Sequence, residues 1–418
     1  IMPGITHWNH PAFFAYFAIS GSRPGILGEA LSAALNVNAM LWKSSPAATE
    51  LEEKVCDWLR RLLDLPEGFR GHINDTASMS SLLALAAARH RLAEYDIRGR
   101  GMAGRSDLPA LVVYANEQVH SSIDKAMILL GLGHENVRRV ATDEAFRMDP
   151  AALAAAIEED LAAGRRPLAV VATVGTTSTT AIDPVDEIAA ICRRHDLWLH
   201  VDGAYGGSAG ICPEIRARMP GLELADSIVV NPHKWLFVPV DCSVLYVQDL
   251  AGFKSAFSLL PEYLKTPENT AEDAARPTDL MDLGVQLGRR FRALKMWMVF
   301  RAFGAEGLRA RIREHCRLAR LFAGWVAADP RFELAAPVPF SLVCFRAVAA
   351  QDPQSQDRLN EALLARVNAA GPVFLSHTKL HDRIVLRLAV GNIKTTEAHV
   401  RRAWELLQEG VEALSQES

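Results

Sequence analysis

Helical spacing alternates with short, uninterrupted apolar runs along most of this chain. Between Leu51 and Leu62, apolar residues recur at steps of 4, 3 and 4, as on one face of a helix. Runs of strand length, typical of buried parallel strands, follow at 110–114, 168–173, 197–201, 227–230 and 243–247. Such alternation predicts an α/β fold with a mostly parallel sheet and right-handed crossovers.

Asp–Pro pairs mark two of the predicted helix starts. Asp149 before Pro150 and Asp183 before Pro184 each combine a favoured N-cap residue with a proline in the first turn. We therefore predict that both aspartates cap the helices that follow them.

The pattern changes after about residue 300. Helices and strands then follow in an order that predicts a small C-terminal α+β domain over 301–418, beside a large domain over 21–300. Within the large domain, Thr266 to Thr278 is polar and lacks periodicity, so a mobile loop is predicted there.

Charge, hydropathy and cysteine spacing exclude several classes of protein. The 45 Lys and Arg residues against 49 Asp and Glu leave a net charge of −4, which argues against nucleic acid as a partner. No uncharged apolar stretch reaches the ~18–20 residues of a membrane span. The 6 cysteines include no CxxC pair, so neither a metal site nor a disulfide framework is predicted. We expect a soluble cytoplasmic protein.

Polar residues follow the predicted strands at the points where they end. Asp202 follows the run 197–201, and Lys234 comes four residues after the run 227–230. His120 follows the run 110–114, and Thr76-Ala77-Ser78 precedes an apolar helix. Because ligands of open α/β sheets bind at the carboxyl ends of the strands, we expect these groups to share one crevice.

These groups match the needs of pyridoxal phosphate. The cofactor needs an amine for its aldehyde, an acid beside its ring nitrogen, a flat group over the ring and a phosphate cradle. Lys234 can supply the amine and Asp202 the acid. His120 can stack on the ring, and residues 76–78 can form the cradle at a helix start. Each alone has an ordinary structural explanation, such as a cap or a surface charge. Their order at successive strand ends favours the cofactor.

Two motifs, Asn231-Pro232-His233-Lys234-Trp235 and His200-Val201-Asp202, resemble the pyridoxal phosphate-dependent decarboxylases of the aromatic L-amino acid decarboxylase family (group II). The resemblance runs through almost the whole chain. Further collinear motifs are Thr6-His7-Trp8, Ser44-Ser45-Pro46-Ala47, His120-Ser121-Ser122, Ala172 to Thr177 and Leu287 to Trp297. The resemblance implies a fold-type I enzyme, with a mostly parallel seven-stranded sheet in the large domain.

The resemblance also implies a homodimer whose active site is shared between subunits. Residues 1–20 are expected to be the remnant of an N-terminal helical segment that relatives carry. Cofactor contacts are implied for Thr177, Asn231, His233 and Ala204. Tyr263 is implied to lie on a loop that closes over the neighbouring site and to donate a proton after carbon dioxide leaves. Related enzymes with Phe at this position tend to form aldehydes.

The same resemblance implies the walls of the substrate pocket, which are Tyr16, Phe17 and Ile19, together with Met40 of the partner subunit. Catechol-handling animal relatives carry threonine where this chain has Ile19, so we expect a weaker preference for dihydroxyphenylalanine. Gly288 leaves room, as in plant relatives that favour indolic substrates. We therefore predict decarboxylation of an aromatic L-amino acid, with tryptophan favoured over phenylalanine, tyrosine and dihydroxyphenylalanine.

Three alternatives stay open. An aromatic aldehyde synthase, or a decarboxylase of another amino acid, fits the same scaffold. An aminotransferase would hold the substrate carboxylate with an arginine, and Arg387 is the candidate. A structural role for Arg387 is favoured, because a held carboxylate opposes its own loss. A non-catalytic binding protein is disfavoured by the presence of Lys234, Asp202 and Tyr263 together.

Overall fold

The computed structural model describes residues 1–259, 278–348 and 352–417. Within these ranges, seven strands form a main sheet in the order β1-β7-β6-β5-β4-β2-β3. The strands are β1 (Arg70–Asn74), β2 (Leu111–Asn116), β3 (Val137–Val140), β4 (Arg166–Thr173), β5 (Trp198–Asp202), β6 (Ser227–Val230) and β7 (Ser243–Val247). The predicted α/β fold with a mostly parallel sheet is confirmed.

The direction of the strands decides which residues meet at one edge of the main sheet. β3, β2, β4, β5 and β6 run parallel. β7 is antiparallel to β6, and β1 is antiparallel to β7, so β1 points the same way as the parallel strands. The carboxyl end of β1 therefore lies at the same edge as those of β4 and β5, where Thr173 is paired with Asp202.

Apolar packing on both faces of the main sheet explains the uninterrupted apolar runs. In β2, Val112 and Tyr114 belong to one buried cluster, whereas Leu111 and Val113 belong to the cluster on the opposite face. The helices that precede residue 260 are Arg23–Leu35, Pro46–Leu62, Ala77–His90, Ile97–Arg100, Ser122–Leu129, Pro150–Ala162, Val185–Arg194, Pro213–Arg216, Pro232–Trp235 and Leu250–Phe257.

A second, antiparallel sheet lies in the C-terminal part of the chain. Its order is β10-β11-β9-β8, formed by β8 (Phe332–Leu334), β9 (Leu342–Ala347), β10 (Ser376–Leu380) and β11 (Arg383–Ala389). The helices Pro353–Ala369 and Glu397–Glu417 pack beside it, and Phe345 and Trp404 share its apolar core. The chain start also joins this part, because the amide of Phe14 donates to Phe374 O.

The predicted boundary near residue 300 falls within one long helix, Ala293–Ala328. The helix departs from helical geometry at Gly304, whose φ of 61° and ψ of 177° suit a residue without a Cβ atom. The first part of the helix joins the apolar core of the main sheet, and the later part joins that of the second sheet. The exact domain limits stay a prediction.

The two predicted caps have different outcomes. Asp149 caps the helix Pro150–Ala162, with its Oδ1 accepting from Ala151 N at 2.8 Å. For Asp183 the prediction is wrong, because the helix Val185–Arg194 begins without a side-chain cap. The buried Asp183 carboxylate instead accepts from Thr173 N at 2.7 Å and from Met148 N at 2.8 Å. Asp183 therefore bonds to backbone amides of other segments and not to the first turn of the helix that follows it.

None of the helices in the described part of the chain combines the length and the apolar character that crossing a bilayer requires.

Candidate active site

A pocket lies at the edge where the parallel strands end, and most of the predicted site residues line it. All ten residues predicted to contact the cofactor are there, and so is Phe17 from the chain start. Its lining is Phe17, Thr76, Ala77, Ser78, His120, Thr173, Gly175, Thr177, Asp202, Ala204, Tyr205, Asn231, His233 and Lys234. Separate strand ends, distant in sequence, have thus brought these groups to one place.

Lys234 lies on the single-turn helix Pro232–Trp235, which follows β6. Burial lowers the pKa of its amine below the ordinary lysine value, and the Asp202 carboxylate partly opposes that shift. The amine lies 5.5 Å from the centre of the Phe17 ring. This environment favours a neutral, nucleophilic amine over a solvated ammonium.

Asp202 is the last residue of β5 and is only 5% exposed. Its Oδ1 accepts a hydrogen bond from Ala204 N at 3.0 Å, which fixes the carboxylate at the floor of the pocket. A carboxylate held in so buried a position can interact strongly with a cationic ring nitrogen, because little water screens the pair.

His120 stands in the loop between β2 and the helix Ser122–Leu129. Its Nδ1 accepts from Ser122 N at 3.1 Å, so the proton of the neutral ring is on Nε2. Burial in the pocket lowers the pKa of the imidazole, and Asp202 partly opposes this. The ring is therefore neutral near pH 7, with one N–H to donate.

Residues 76–78 lie where the helix Ala77–His90 begins, and we call this helix the cradle helix. Thr76 is its N-cap residue, and the backbone amides of its first turn have no partner within the helix. Unpaired amides and the positive end of the helix dipole favour a phosphate group. The cradle helix runs away from the pocket for 14 residues.

Two buried polar atoms of the pocket test whether pyridoxal phosphate fits these residues. Asn231 Oδ1 and Thr173 Oγ1 are buried and have no hydrogen-bond partner in the described ranges. Buried polar atoms without partners are rare, because each costs about 1–3 kcal/mol. Both residues line the pocket, so a polar, planar cofactor bound there would supply the partners that the chain lacks. The residues therefore fit the group.

Comparison with known proteins identifies the family. The pyridoxal-dependent decarboxylase conserved domain matches residues 1–348. This chain belongs to the pyridoxal-dependent decarboxylase family. Its cofactor is pyridoxal phosphate, and it is a carboxy-lyase of the group that contains aromatic amino acid decarboxylases and aldehyde synthases.

The relatives of this decarboxylase include enzymes with different products. Phenylacetaldehyde synthase of Arabidopsis thaliana is 44% identical, over 98% of this chain and 83% of its own. Tryptophan decarboxylase 2 of Oryza sativa subsp. japonica is also 44% identical, over 98% of this chain and 82% of its own. Aromatic-L-amino-acid decarboxylase of Sus scrofa is 43% identical, over 97% and 83% respectively.

A solved structure of Oryza sativa TDC with PLP and tryptamine has the same fold as this decarboxylase. The TM-score is 0.93 and the sequence identity 41%, with 99% of this chain and 86% of that chain covered. The predicted fold class, family and cofactor are thereby confirmed.

Three pocket residues of this decarboxylase were missed in the sequence analysis. Thr173 is the last residue of β4, and Tyr205 lies just beyond β5, so the rule that found Asp202 could also have found them. Gly175 has a φ of +89°, and a Cβ atom there would lie 2.8 Å from Gly206 N. Only glycine fits between these two loops.

An aromatic stack forms one wall of the pocket. The rings of Phe17 and Tyr205 are 3.7 Å apart between centroids, with 12° between their planes. Tyr205 stacks in turn on Trp235 at 4.6 Å and 5°. Trp235 donates through Nε1 to His315 Nδ1 at 2.9 Å, so the stack is anchored on the long helix Ala293–Ala328.

Four predicted substrate residues do not line this pocket. Tyr16 is 48% exposed and stacks on Trp8, and Ile19 is half-buried nearby in the chain. Met40 O accepts from Met281 N, and Gly288 lies near Asn38. Tyr263 and all of the predicted mobile loop except Thr278 lie outside the described residues.

Proposed function

We propose that this enzyme decarboxylates an aromatic L-amino acid to the corresponding amine and carbon dioxide, with tryptophan preferred. The proposal rests on one pocket that combines a desolvated lysine, a buried carboxylate, a neutral histidine and a helix start beside a stacked aromatic wall. It combines the family's chemistry with a surface suited to a flat, apolar side chain.

The residues that would hold the cofactor follow from the chemistry of each group. Lys234 would bond the aldehyde carbon, Asp202 would pair with the ring nitrogen, and the start of the cradle helix would receive the phosphate. His120 would pack over the ring. When bound, pyridoxal phosphate accepts the electron pair that the departing carboxylate leaves behind.

The residues of the chain itself must orient the substrate and supply a proton. The aromatic wall of Phe17 and Tyr205 would hold the substrate ring and exclude water from the pocket. Burial lowers the pKa of Lys234, which makes its amine easier to deprotonate for exchange with the substrate amine. We propose that the phenol of Tyr263 protonates the substrate carbon after carbon dioxide has left.

The surroundings of Arg387 support decarboxylation over transamination. The residue is 5% exposed, and its guanidinium donates to Thr177 O at 2.7 Å and to Ser178 O at 3.2 Å. A third bond reaches Ser376 Oγ at 3.1 Å. With its donors committed to the protein, Arg387 ties the Thr177 loop to β10 rather than clamping a substrate carboxylate.

Substrate preference is proposed from the size and polarity of two positions. Ile19 offers no hydrogen bond to a ring hydroxyl, and Gly288 has no side chain. Neither residue lines the pocket described above, and the resemblance to the family is what assigns both to the substrate side. An apolar contact at such positions does not reward the hydroxyls of tyrosine or dihydroxyphenylalanine. Both features favour the bulky, less polar indole of tryptophan.

An aldehyde synthase is the second candidate, because a relative with that name is 44% identical to this chain. The two activities give different products: decarboxylation gives amine and carbon dioxide, whereas aldehyde synthesis consumes oxygen and also releases ammonia and peroxide. We expect amine without peroxide from tryptophan. Tyr263→Phe should then shift the products towards aldehyde, and peroxide from the unsubstituted enzyme would contradict the proposal.

We also propose a homodimer with shared active sites. The helix Arg23–Leu35 leaves Ile26, Leu27 and Leu31 exposed by 56%, 64% and 42%, an apolar face of the kind that subunits cover. If Tyr263 acts in the partner's site, mixing Lys234→Ala with Tyr263→Phe subunits should restore amine production, since mixed dimers contain one intact site. Failure to restore it, in mixed dimers verified by mass, would contradict the shared site.

The covalent position of the cofactor tests the core of the proposal. Borohydride reduction of the loaded enzyme, followed by peptide mass analysis, should place the reduced cofactor on the peptide that contains Lys234. Lys254 is a matched control, because it is another partly buried lysine but pairs with Asp282 at 2.9 Å. Label on Lys254 or on scattered lysines would contradict the assignment.

A further inference from the structure

Two adjacent serines of the cradle helix, Ser80 and Ser81, are fully buried against the main sheet. A helix that packs on a sheet ordinarily presents apolar residues there, because buried hydroxyls must find partners. Both serines lie close in sequence to Thr76-Ala77-Ser78, at the end of the cradle helix that lines the pocket. Their partners show which parts of the sheet they join to the helix.

Ser81 connects the cradle helix to β5 and β6. Its Oγ is hydrogen-bonded to His200 Nε2 at 3.0 Å, and His200 Nδ1 is hydrogen-bonded to Ser227 Oγ at 2.9 Å. Trp198 Nε1 also donates to Ser227 Oγ, at 2.8 Å. His200 is two residues before Asp202 on β5, so these bonds join the cradle helix to the strand that carries the carboxylate of the pocket.

Ser80 connects the cradle helix to β1 and β7. Its Oγ accepts from Asn74 Nδ2 at 3.1 Å and is 3.0 Å from Ser243 Oγ. Asn74 is the last residue of β1 and Ser243 the first of β7. Ser80 and Ser81 therefore fasten the same turn of the helix directly to β1, β7 and β5, and through His200 to β6.

We propose that Ser80 and Ser81 are positioning residues for the cofactor phosphate: their hydroxyls fix the height and rotation of the cradle helix relative to Asp202. The inference rests on the proposed placement of the phosphate at residues 76–78. Apolar packing alone leaves a helix able to slide or turn slightly on a sheet, whereas directional hydrogen bonds do not. A rigid cofactor bound at Asp202 and at the helix start requires a fixed separation between the two.

The state of His200 is consistent with this role. Burial lowers the pKa of its imidazole to about 4, so the ring is neutral near pH 7 and can bond both serine hydroxyls without a buried charge. His200, Ser81 and Ser227 are all fully buried, so water does not compete for these bonds.

The test compares two substitutions of equal shape. Ser81→Thr keeps the hydroxyl, whereas Ser81→Val replaces it with a methyl group of similar size. The full chain is titrated with pyridoxal phosphate, and separately with pyridoxal, after bound cofactor has been dialysed out. Relative to Ser81→Thr, Ser81→Val should raise the Kd for pyridoxal phosphate roughly 3- to 10-fold, the range of one net hydrogen bond. Pyridoxal, which lacks the phosphate, should bind both variants within about twofold.

Tyr114→Phe is the control for the general cost of losing a buried hydroxyl. Its OH donates to Asp160 Oδ2 at 2.8 Å and ties the same sheet to the helix Pro150–Ala162, which does not line the pocket. The Kd for pyridoxal phosphate should not change in this variant. If Ser81→Val does not fold, Ser80→Ala, which adds no volume, is measured in the same way.

Two results would overturn the inference. One is the same Kd for pyridoxal phosphate in the Thr and Val variants, and the other is an equal weakening for pyridoxal. Neither result bears on the proposed function, which stands or falls on amine production and on the Lys234 label in the unsubstituted enzyme.

Discussion

The centre of the Phe17 ring lies 5.5 Å from Nζ of Lys234, and the same ring stacks on that of Tyr205 with 3.7 Å between the centroids. One residue thus contacts both the group proposed to react and the wall proposed to hold the substrate. Phe17 comes from the chain start, more than 200 residues before Lys234. Its position depends on the packing of residues 12–15 against the second sheet.

Phe17→Leu should weaken substrate binding more than cofactor binding. Loss of the stack removes about 0.5–1.5 kcal/mol beyond simple area, so kcat/KM for tryptophan should fall roughly tenfold, mainly through KM. Phe13→Leu is the matched control, because Phe13 stacks on Phe374 outside the pocket. Steady-state kinetics of both variants decide the matter, and equal effects would show that Phe17 acts only through the fold.

The depressed pKa of Lys234 predicts how cofactor binding depends on pH. Because burial lowers the pKa of the amine, the rate of pyridoxal phosphate association should reach its plateau well below the pH expected for an ordinary lysine. Asp202→Asn removes the charge that raises this pKa, so the midpoint should move to lower pH. Stopped-flow absorbance from pH 6 to 10 measures the shift. A midpoint that moves up, or does not move, would contradict the proposed electrostatics.

The pKa of the buried Asp183 carboxyl predicts that the free energy of unfolding depends on pH. Burial raises the pKa of this carboxyl above its ordinary value, to about 6. Because the folded state binds the proton more tightly than the unfolded chain, the stabilisation from Asp183 is present below about pH 4 and is lost as pH rises through about 6. The loss is about 3 kcal/mol for a shift of about two units.

Comparison with Asp183→Asn isolates the contribution of Asp183 to the pH dependence of stability. The difference in free energy of unfolding between the two proteins should move by about 2 kcal/mol between pH 4 and pH 6.5, which is most of the full loss, in favour of the unsubstituted chain at the lower pH. Urea denaturation across this range provides the measurement. A difference that is constant with pH would mean that Asp183 ionises normally.

Gly288→Ser should change substrate choice without disturbing the fold. Among the residues that the structure describes, a Cβ atom at this position would meet only Asn38 Nδ2, at 3.9 Å, which is ordinary contact. The added hydroxyl should shift the ratio of kcat/KM for tryptophan over tyrosine about tenfold towards tyrosine. Ile19→Thr should raise the relative rate on dihydroxyphenylalanine. Values of kcat/KM for the four aromatic amino acids test both variants. If their ranking does not change, Gly288 and Ile19 do not determine substrate preference.

Residues whose role follows from a local pattern could be predicted from the sequence, whereas residues with distant partners could not. Asp202 and Lys234 were predicted because each follows an apolar strand, and that signal is local. Asp183 was predicted wrongly as a helix cap because its real partners, Asn116, Met148 and Thr173, come from three other segments. No pattern within a few residues of Asp183 indicates them.

Local periodicity in the sequence determined five of the seven strands of the main sheet, β2 and β4 to β7, because apolar spacing depends only on neighbouring residues. It also determined most of the helices and the order of the groups that follow these strands. β1 and β3 were not predicted. The tertiary structure alone decided that β7 runs against its neighbours and that β1 then returns to the parallel direction. That reversal brings the cradle helix to the edge where Asp202 and Lys234 lie. It depends on pairing between strands more than 150 residues apart, which no local pattern specifies.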